Sequence, residues 1–189
     1  GLILFSGAVV FMCAGILSPK ELLEGFANKG MITVAMLFLV SEGVRRSGLL
    51  EALLRRLLPH QQGAGERQVQ ARMLPVIAFI SAFLNNTPVV VIFAPMIKRW
   101  AEKYGVAATK LLIPLSYATI LGGVCTLIGT STNLVVHGMV IDAGYGGFSM
   151  FELGKVGIII AAAGLLYIWV FSSKLLPEAR NDRNEETQP

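Results

Sequence analysis

Long apolar runs separated by short charged stretches set the plan of this chain, and two of those runs are broken from within. Met73 to Ile97 is apolar until Asn85-Asn86-Thr87-Pro88 interrupts it at its centre. Leu111 to Ile141 is apolar until Gly129-Thr130-Ser131-Thr132-Asn133 interrupts it in turn. The other runs are continuous. Residues 2–17 and 31–47 are predicted to be spanning helices, and 154–173 is long enough to cross a bilayer core, which takes ~20 residues. Residues 111–141 read as a further crossing helix that is broken before its outer end.

The stretches between the runs have helical or turn patterns of their own. Ser18-Pro19-Lys20-Glu21 is a capping box, with Ser18 as N-cap, Pro19 at the first helical position and Glu21 reaching back to free N–H groups. It starts a short amphipathic helix, 19–27, placed on the membrane surface. Residues 48–58 carry leucines at 49, 50, 53, 54, 57 and 58, a stripe at helical spacing that predicts an interfacial helix. His60 to Arg72 is polar, contains Gly63 and Gly65, and is predicted to be a loop. Asp142 to Glu152 is a glycine-rich outer loop.

Composition agrees with the pattern. The 189 residues are 54% hydrophobic and 15% charged, against about 25% charged in a soluble domain, and the mean hydropathy is +0.65. The net charge of +4 belongs to membrane topology rather than to nucleic acid, because the cations flank apolar segments and no basic face with interleaved aromatics appears. Cys13 and Cys125 both lie in apolar segments and read as packing residues. Glu42, three and four residues before Arg45 and Arg46, reads as half of a helix-end ion pair rather than as a proton-carrying carboxylate. Gly1 opens directly into apolar sequence with no basic n-region, so a start inside a larger protein is expected. Residues 178–189 read as a cytoplasmic polar tail or the lead into a regulatory domain.

Charge also selects the architecture of 73–97. Each arm of this run covers about 15–18 Å at 1.5 Å per residue, half of a ~30 Å core. A kinked spanning helix and a re-entrant hairpin both fit. Basic residues from Arg45 to Arg72 precede the segment, and Lys98, Arg99, Lys103 and Lys110 follow it. A spanning segment would put these on opposite sides, against the positive-inside tendency. A hairpin puts both inside, and leaves only Lys20, Lys29 and Lys155 of the 16 Lys and Arg outside.

Irregular backbone at membrane depth survives only where it is buried in protein or lines a wet cavity. Ser81 and Asn85, at i and i+4, would share a helix face and offer neutral oxygens with the carbonyls freed at the end of a half-helix. That set suits a hard cation such as Na⁺. Thr87 and Pro88 would open the second half-helix as N-cap and first residue, with free N–H groups suited to an anion. Thr130, Ser131 and Thr132 supply hydroxyls at the other break, and Asn133 stands where Leu134 starts the next half-helix. Interhelical hydrogen bonding accounts for Ser41, Ser116 and Thr119; it does not account for two polar clusters that also break helices. An intramembrane hydrolase using Thr130 or Ser131 with His137 would lack an orienting carboxylate.

Ser81-Ala82-Phe83-Leu84-Asn85-Asn86-Thr87-Pro88, followed by Leu121-Gly122-Gly123-Val124-Cys125-Thr126-Leu127-Ile128-Gly129-Thr130-Ser131-Thr132-Asn133, resembles the divalent anion:sodium symporter family of the ion transporter superfamily. Ser18 to Phe26 and Leu111 to Ser116 also look like its large bacterial members. The resemblance implies an all-α integral membrane fold, multi-pass in the bacterial cytoplasmic (inner) membrane, in which this chain is one of two inverted repeats of an elevator-type transporter. It implies sodium at Ser81, Asn85, Asn86 and the backbone around Gly129, and a small anionic substrate facing Asn86, Thr87, Thr130, Ser131 and Asn133. Its partners would be membrane lipid, the missing C-terminal repeat and a second copy in a homodimer. Two departures leave sulfate and dicarboxylate equally open: Asn85-Asn86-Thr87 where the family often has Ser-Asn-Thr, and Ser131 and Thr132 where it often has prolines. Arsenite, metal–citrate and a non-transporting assembly role are the remaining alternatives.

Overall fold

The computed structural model describes residues 1–27, 29–58 and 65–177. They form helices α1 (Leu2–Cys13), α2 (Pro19–Ala27), α3 (Lys29–Arg46), α4 (Leu49–Leu57), α5 (Glu66–Ser81), α6 (Asn86–Tyr104), α7 (Thr109–Gly123), α8 (Ser131–Asp142) and α9 (Gly154–Leu175), with no strand among the described residues. The capping box at α2 forms as expected. The Glu21 N–H donates to Ser18 Oγ at 3.2 Å, and Ser18 N–H and Oγ both reach Glu21 Oε2 at 2.8 Å. Those bonds hold the Glu21 carboxyl below the usual carboxylate range. Glu42 pairs with Arg45 at 2.6 Å and with Arg46 at 2.8 Å, the helix-end ion pair read from its spacing.

The core lies between α4, α5, α6 and α7. Leu54, Met73, Leu74, Ile77, Phe93 and Ile97 are among its largest fully buried side chains. One edge of the leucine stripe of α4 enters this core through Leu50, Leu54 and Leu58. Elsewhere the pattern inverts. α1 buries no residue, and α9 turns Val156, Ile158, Ile159 and Leu166 outward. Apolar surface on that scale is costly in water and is the expected outer face of a helix in lipid. By length and apolarity Gly154–Leu175, with mean hydropathy 2.1, qualifies to cross a membrane.

Contacts along the helices give their directions. At the start of α5 and α7, Lys110 Nζ meets Glu66 Oε1 at 3.1 Å, and Gln70 Nε2 donates to the Lys110 carbonyl at 2.7 Å. At their other ends, Ser81 Oγ meets the Thr119 carbonyl at 2.9 Å, and Ala78 lies against Gly122. The two helices therefore run parallel. α6 ends at Tyr104 and α7 begins at Thr109, so α6 must carry the chain back to the end where α5 began. α9 runs the opposite way to α7. Gly157 packs on Val124, Ser172 Oγ donates to Gln70 Oε1 at 2.8 Å, and Thr109 Oγ1 donates to the Pro177 carbonyl at 2.9 Å.

Several boundaries differ from the sequence reading. Residues 66–72 are helical, not loop; they are good helix formers, and Val69 and Gln70 are buried against neighbours. His60 and Gly63 lie outside the described residues, as does the tail 178–189. With α5 at 16 residues and α6 at 19, the arms around the first break are about 24 and 28 Å long, not 15–18 Å. α5 ends at Ser81 and Asn85 is the N-cap of α6. Ser81 and Asn85 therefore do not share a helix face, and Thr87 and Pro88 lie within the first turn rather than opening it. Pro88 is tolerated there because first-turn N–H groups have no intrahelical partner. α7 stops at Gly123 and α8 starts at Ser131 with Thr130 as N-cap. The second break is thus 124–130, and Asn133 belongs to the following helix.

Candidate functional site: two facing helix breaks

The two breaks meet. Thr126 Oγ1 donates to the Ala82 carbonyl, and the same oxygen accepts from the Gly129 N–H at 3.1 Å. One hydroxyl thereby ties the end of α5 to the loop between α7 and α8. Asn133 Nδ2 gives its two hydrogens to the carbonyls of Gly123, at 3.2 Å, and Thr126, at 2.9 Å. It holds the second break closed over the end of α7 and leaves Oδ1 available.

Glycine permits this approach. A Cβ on Gly122 would stand 2.0 Å from the Ala78 carbonyl oxygen, so any side chain there would force α5 away from α7. A Cβ on Gly123 would lie 2.7 Å from Asn86 Oδ1; the space it leaves is filled by the Asn86 amide.

Ser81 is fully buried, with Oγ 2.7 Å from Asn86 Oδ1 and 2.9 Å from the Thr119 carbonyl. A hydroxyl has one hydrogen to give. Donation to Thr119, with the Asn86 amide turned so that Nδ2 donates to Ser81, satisfies all three groups, since amide orientation follows from the hydrogen-bond network. The result is a set of uncharged oxygens from Ser81, Asn86, Thr119, Ala82 and Gly123. Two of the carbonyls sit at helix C-terminal ends, where the backbone dipole is negative. Carbonyl oxygens carry two lone pairs, so those already hydrogen-bonded retain capacity toward a cation.

Of the residues singled out from sequence, Ser81, Asn86, Gly129 and Asn133 are joined in this network. Asn85 makes no side-chain bond as the α6 N-cap. Thr87 lies on the other side of Asn86, where both line an open cleft of about 260 Å³ with Ser116 and Thr119. Thr130 and Ser131 do not line that cleft; they are half-buried at the start of α8. His137 accepts the Phe148 N–H at Nδ1 (2.9 Å), pinning the segment after α8, and the Leu127 N–H donates to the Met150 carbonyl at 2.9 Å. Sequence reasoning missed Thr126 as the bridge, and assigned Ser116 and Thr119 only to helix contacts. The available signal was a threonine three residues after Gly122-Gly123, close to the second break.

Helices with outward apolar faces, around polar broken-helix tips that meet in the interior, fit a membrane-embedded fold. Comparison with known proteins then fixes the family. Residues 1–187 match the citrate transporter family, and the chain belongs to it, as the resemblance to the divalent anion:sodium symporters implied. An uncharacterized transporter of Synechocystis sp. is 40% identical over 174 residues, 92% of this chain and 28% of that protein. Sodium/sulfate cotransporter 1 of Chlamydomonas reinhardtii is 39% identical over 170 residues, 86% of this chain and 19% of that protein. An uncharacterized transporter of Escherichia coli is 29% identical over 177 residues, 94% of this chain and 29% of that protein. The chain thus spans between 19% and 29% of the length of these relatives. No solved structure matches it.

Proposed function

We propose that this chain is one repeat of a sodium-coupled symporter for a divalent anion, with sulfate the first substrate to test. The observation that carries the reading is the pair of breaks locked together by Thr126 around an uncharged oxygen set. Na⁺ would be held by Ser81, Asn86 and carbonyls next to Gly129, with Asn85 shaping the turn. The anion would sit against Asn86 and Thr87 at the start of α6, in the cleft they line with Ser116 and Thr119; Thr130, Ser131 and Asn133, which lie outside that cleft, would face the part of the site that the second repeat completes. Helix N-termini attract anions without a fixed cation, and sequence near the tips contains none, which favours release. The sodium/sulfate names of relatives at 38–41% identity support this choice. The citrate description of the family supports a second substrate class, a free or metal-bound carboxylate.

In this reading α5 and α6 form a hairpin that enters and leaves the bacterial inner membrane from the cytoplasmic side. It would move with α7 and α8 as an elevator against the remaining helices. A second, inverted repeat supplies the other half of the site, and the complete protein is a homodimer. Cells expressing the full-length gene should take up labelled sulfate only with Na⁺. Citrate or succinate uptake instead would select the carboxylate reading, and Asn86→Ala should abolish whichever is found. Reporter fusions after Gly65 and after Gly105 should both report cytoplasm; opposite sides would remove the hairpin. Cysteines at positions 86 and 131 should react with aqueous reagents, which a non-transporting assembly subunit without a wet cavity would not allow.

A further inference from the structure

A second cavity, which shares only Val91 with the cleft at the first break, has a polarity gradient that the transport reading does not use. It is about 450 Å³ and lies between the end of α3, α4 and α6. Its α6 wall is one face of that helix. Val91, Pro95 and Met96 form the part nearer the break, and Arg99 and Lys103 the part nearer the α6–α7 turn. Arg45 and Arg55 add cations from α3 and α4, opposed within the lining by Glu51. Arg45 is committed to Glu42 at 2.6 Å. Among the described residues neither Arg55 nor Arg99 makes an ion pair, and both are exposed. Trp100 and Tyr104, with ring centroids 4.9 Å apart, stand at the level of the cations.

From Val91 to Tyr104 this face rises about 20 Å, apolar at one end and cationic at the other. A soluble dianion has no use for the apolar half, and a neutral lipid has none for the surplus cations. We propose that the cavity is a binding site for one anionic phospholipid of the leaflet on the α6–α7 side. Its phosphate would be gripped by Arg55 and Arg99, and an acyl chain would lie along Val91, Pro95 and Met96. Guanidinium groups suit this task because their fork of donors matches phosphate geometry, and aromatic side chains favour the headgroup level. Because α6 also carries Asn86 and Thr87, the lipid would brace the helix that presents the candidate site.

The test uses the intact protein, purified in detergent and titrated with phosphatidylglycerol, phosphatidylcholine or glycerol 3-phosphate, with bound species counted by native mass spectrometry. Selective retention of phosphatidylglycerol is expected. It should fall about thirtyfold in the double variant R55Q/R99Q. It should stay unchanged in K98Q, which removes a cation of the same helix that does not line the cavity. Met96→Trp fills the apolar half with every cation intact and should also lower retention, which tests the site even where the double variant does not fold. The proposal is overturned by equal losses in K98Q and R55Q/R99Q, by equal retention of phosphatidylcholine, or by retention that Met96→Trp leaves untouched. Glycerol 3-phosphate binding as tightly as the lipid would make this a soluble-anion site and overturn it too.

Discussion

The two helix breaks solve one problem by different means. At the first, α5 ends and α6 begins within a few residues, and the groups turned inward are two side chains, Ser81 and Asn86, beside one carbonyl, that of Ala82. At the second, the gap from Gly123 to Ser131 is longer, and the groups turned inward are backbone carbonyls and an N–H, positioned by Thr126 and Asn133. Exchanging a side chain at the first break should therefore change ligand chemistry. At the second it should change the geometry of backbone that no substitution can remove.

The largest effect is expected where both breaks depend on one contact. Gly122→Val drives a side chain into the Ala78 backbone and should cost about 3 kcal/mol through overpacking. Detergent-resistant unfolding of the intact protein, read by its melting temperature, checks this. Ser81→Ala takes the hydroxyl partner from the Asn86 amide and the second bond from the Thr119 carbonyl. A loss of about 1–3 kcal/mol is expected, with a marked rise in the Na⁺ concentration needed for uptake. Thr126→Val should destabilise by a similar amount but lower the maximal uptake rate at saturating Na⁺. Thr126→Ser, which restores the hydroxyl, should recover it. Identical sodium dependence in the Ser81 and Thr126 variants would erase the distinction between the breaks.

Smaller effects sharpen the first break. Asn85→Ala should cost less than about 0.5 kcal/mol, below the ordinary penalty for losing an N-cap, because Asn85 makes no capping bond. Asn86→Ala, which empties the space over Gly123, should cost more. The smallest effect belongs to the water-facing start of α2. Glu21 has a lowered folded-state pKa, so its contribution is present above the unfolded carboxylate pKa and is lost as pH falls through the folded value. Amide exchange in the first turn of α2 should quicken only in that acidic window, and Ser18→Ala should remove the dependence.

Much of the plan was legible in the order of residues because it rests on local patterns. The capping box at Ser18, the Glu42 ion pair and the position of the first break each depend on groups within a few places of one another. What was not legible depends on partners far along the chain. Residues 66–72 looked like loop because the stretch from His60 is polar and holds Gly63 and Gly65, yet the Gln70 amide is satisfied by Lys110, 40 residues away, and Ser172, 102 residues away. Thr126 looked unremarkable because its acceptor, Ala82, lies 44 residues earlier. The end of α7 was misplaced because the Gly123 carbonyl is taken by Asn133, ten residues on, and not by a further turn of helix.

The polar clasp of Glu66, Gln70, Lys110 and Ser172 fastens α5, α7 and α9 at the end farthest from the breaks. Any rocking of α5 against its neighbours would pivot there. Along an arm of about 24 Å, about one degree of rocking at the clasp would carry Ser81 and Asn86 roughly 0.4 Å, enough to loosen or tighten a coordination distance. Fine adjustment of the tips can therefore be made from the opposite end of the helices, by groups that never touch an ion.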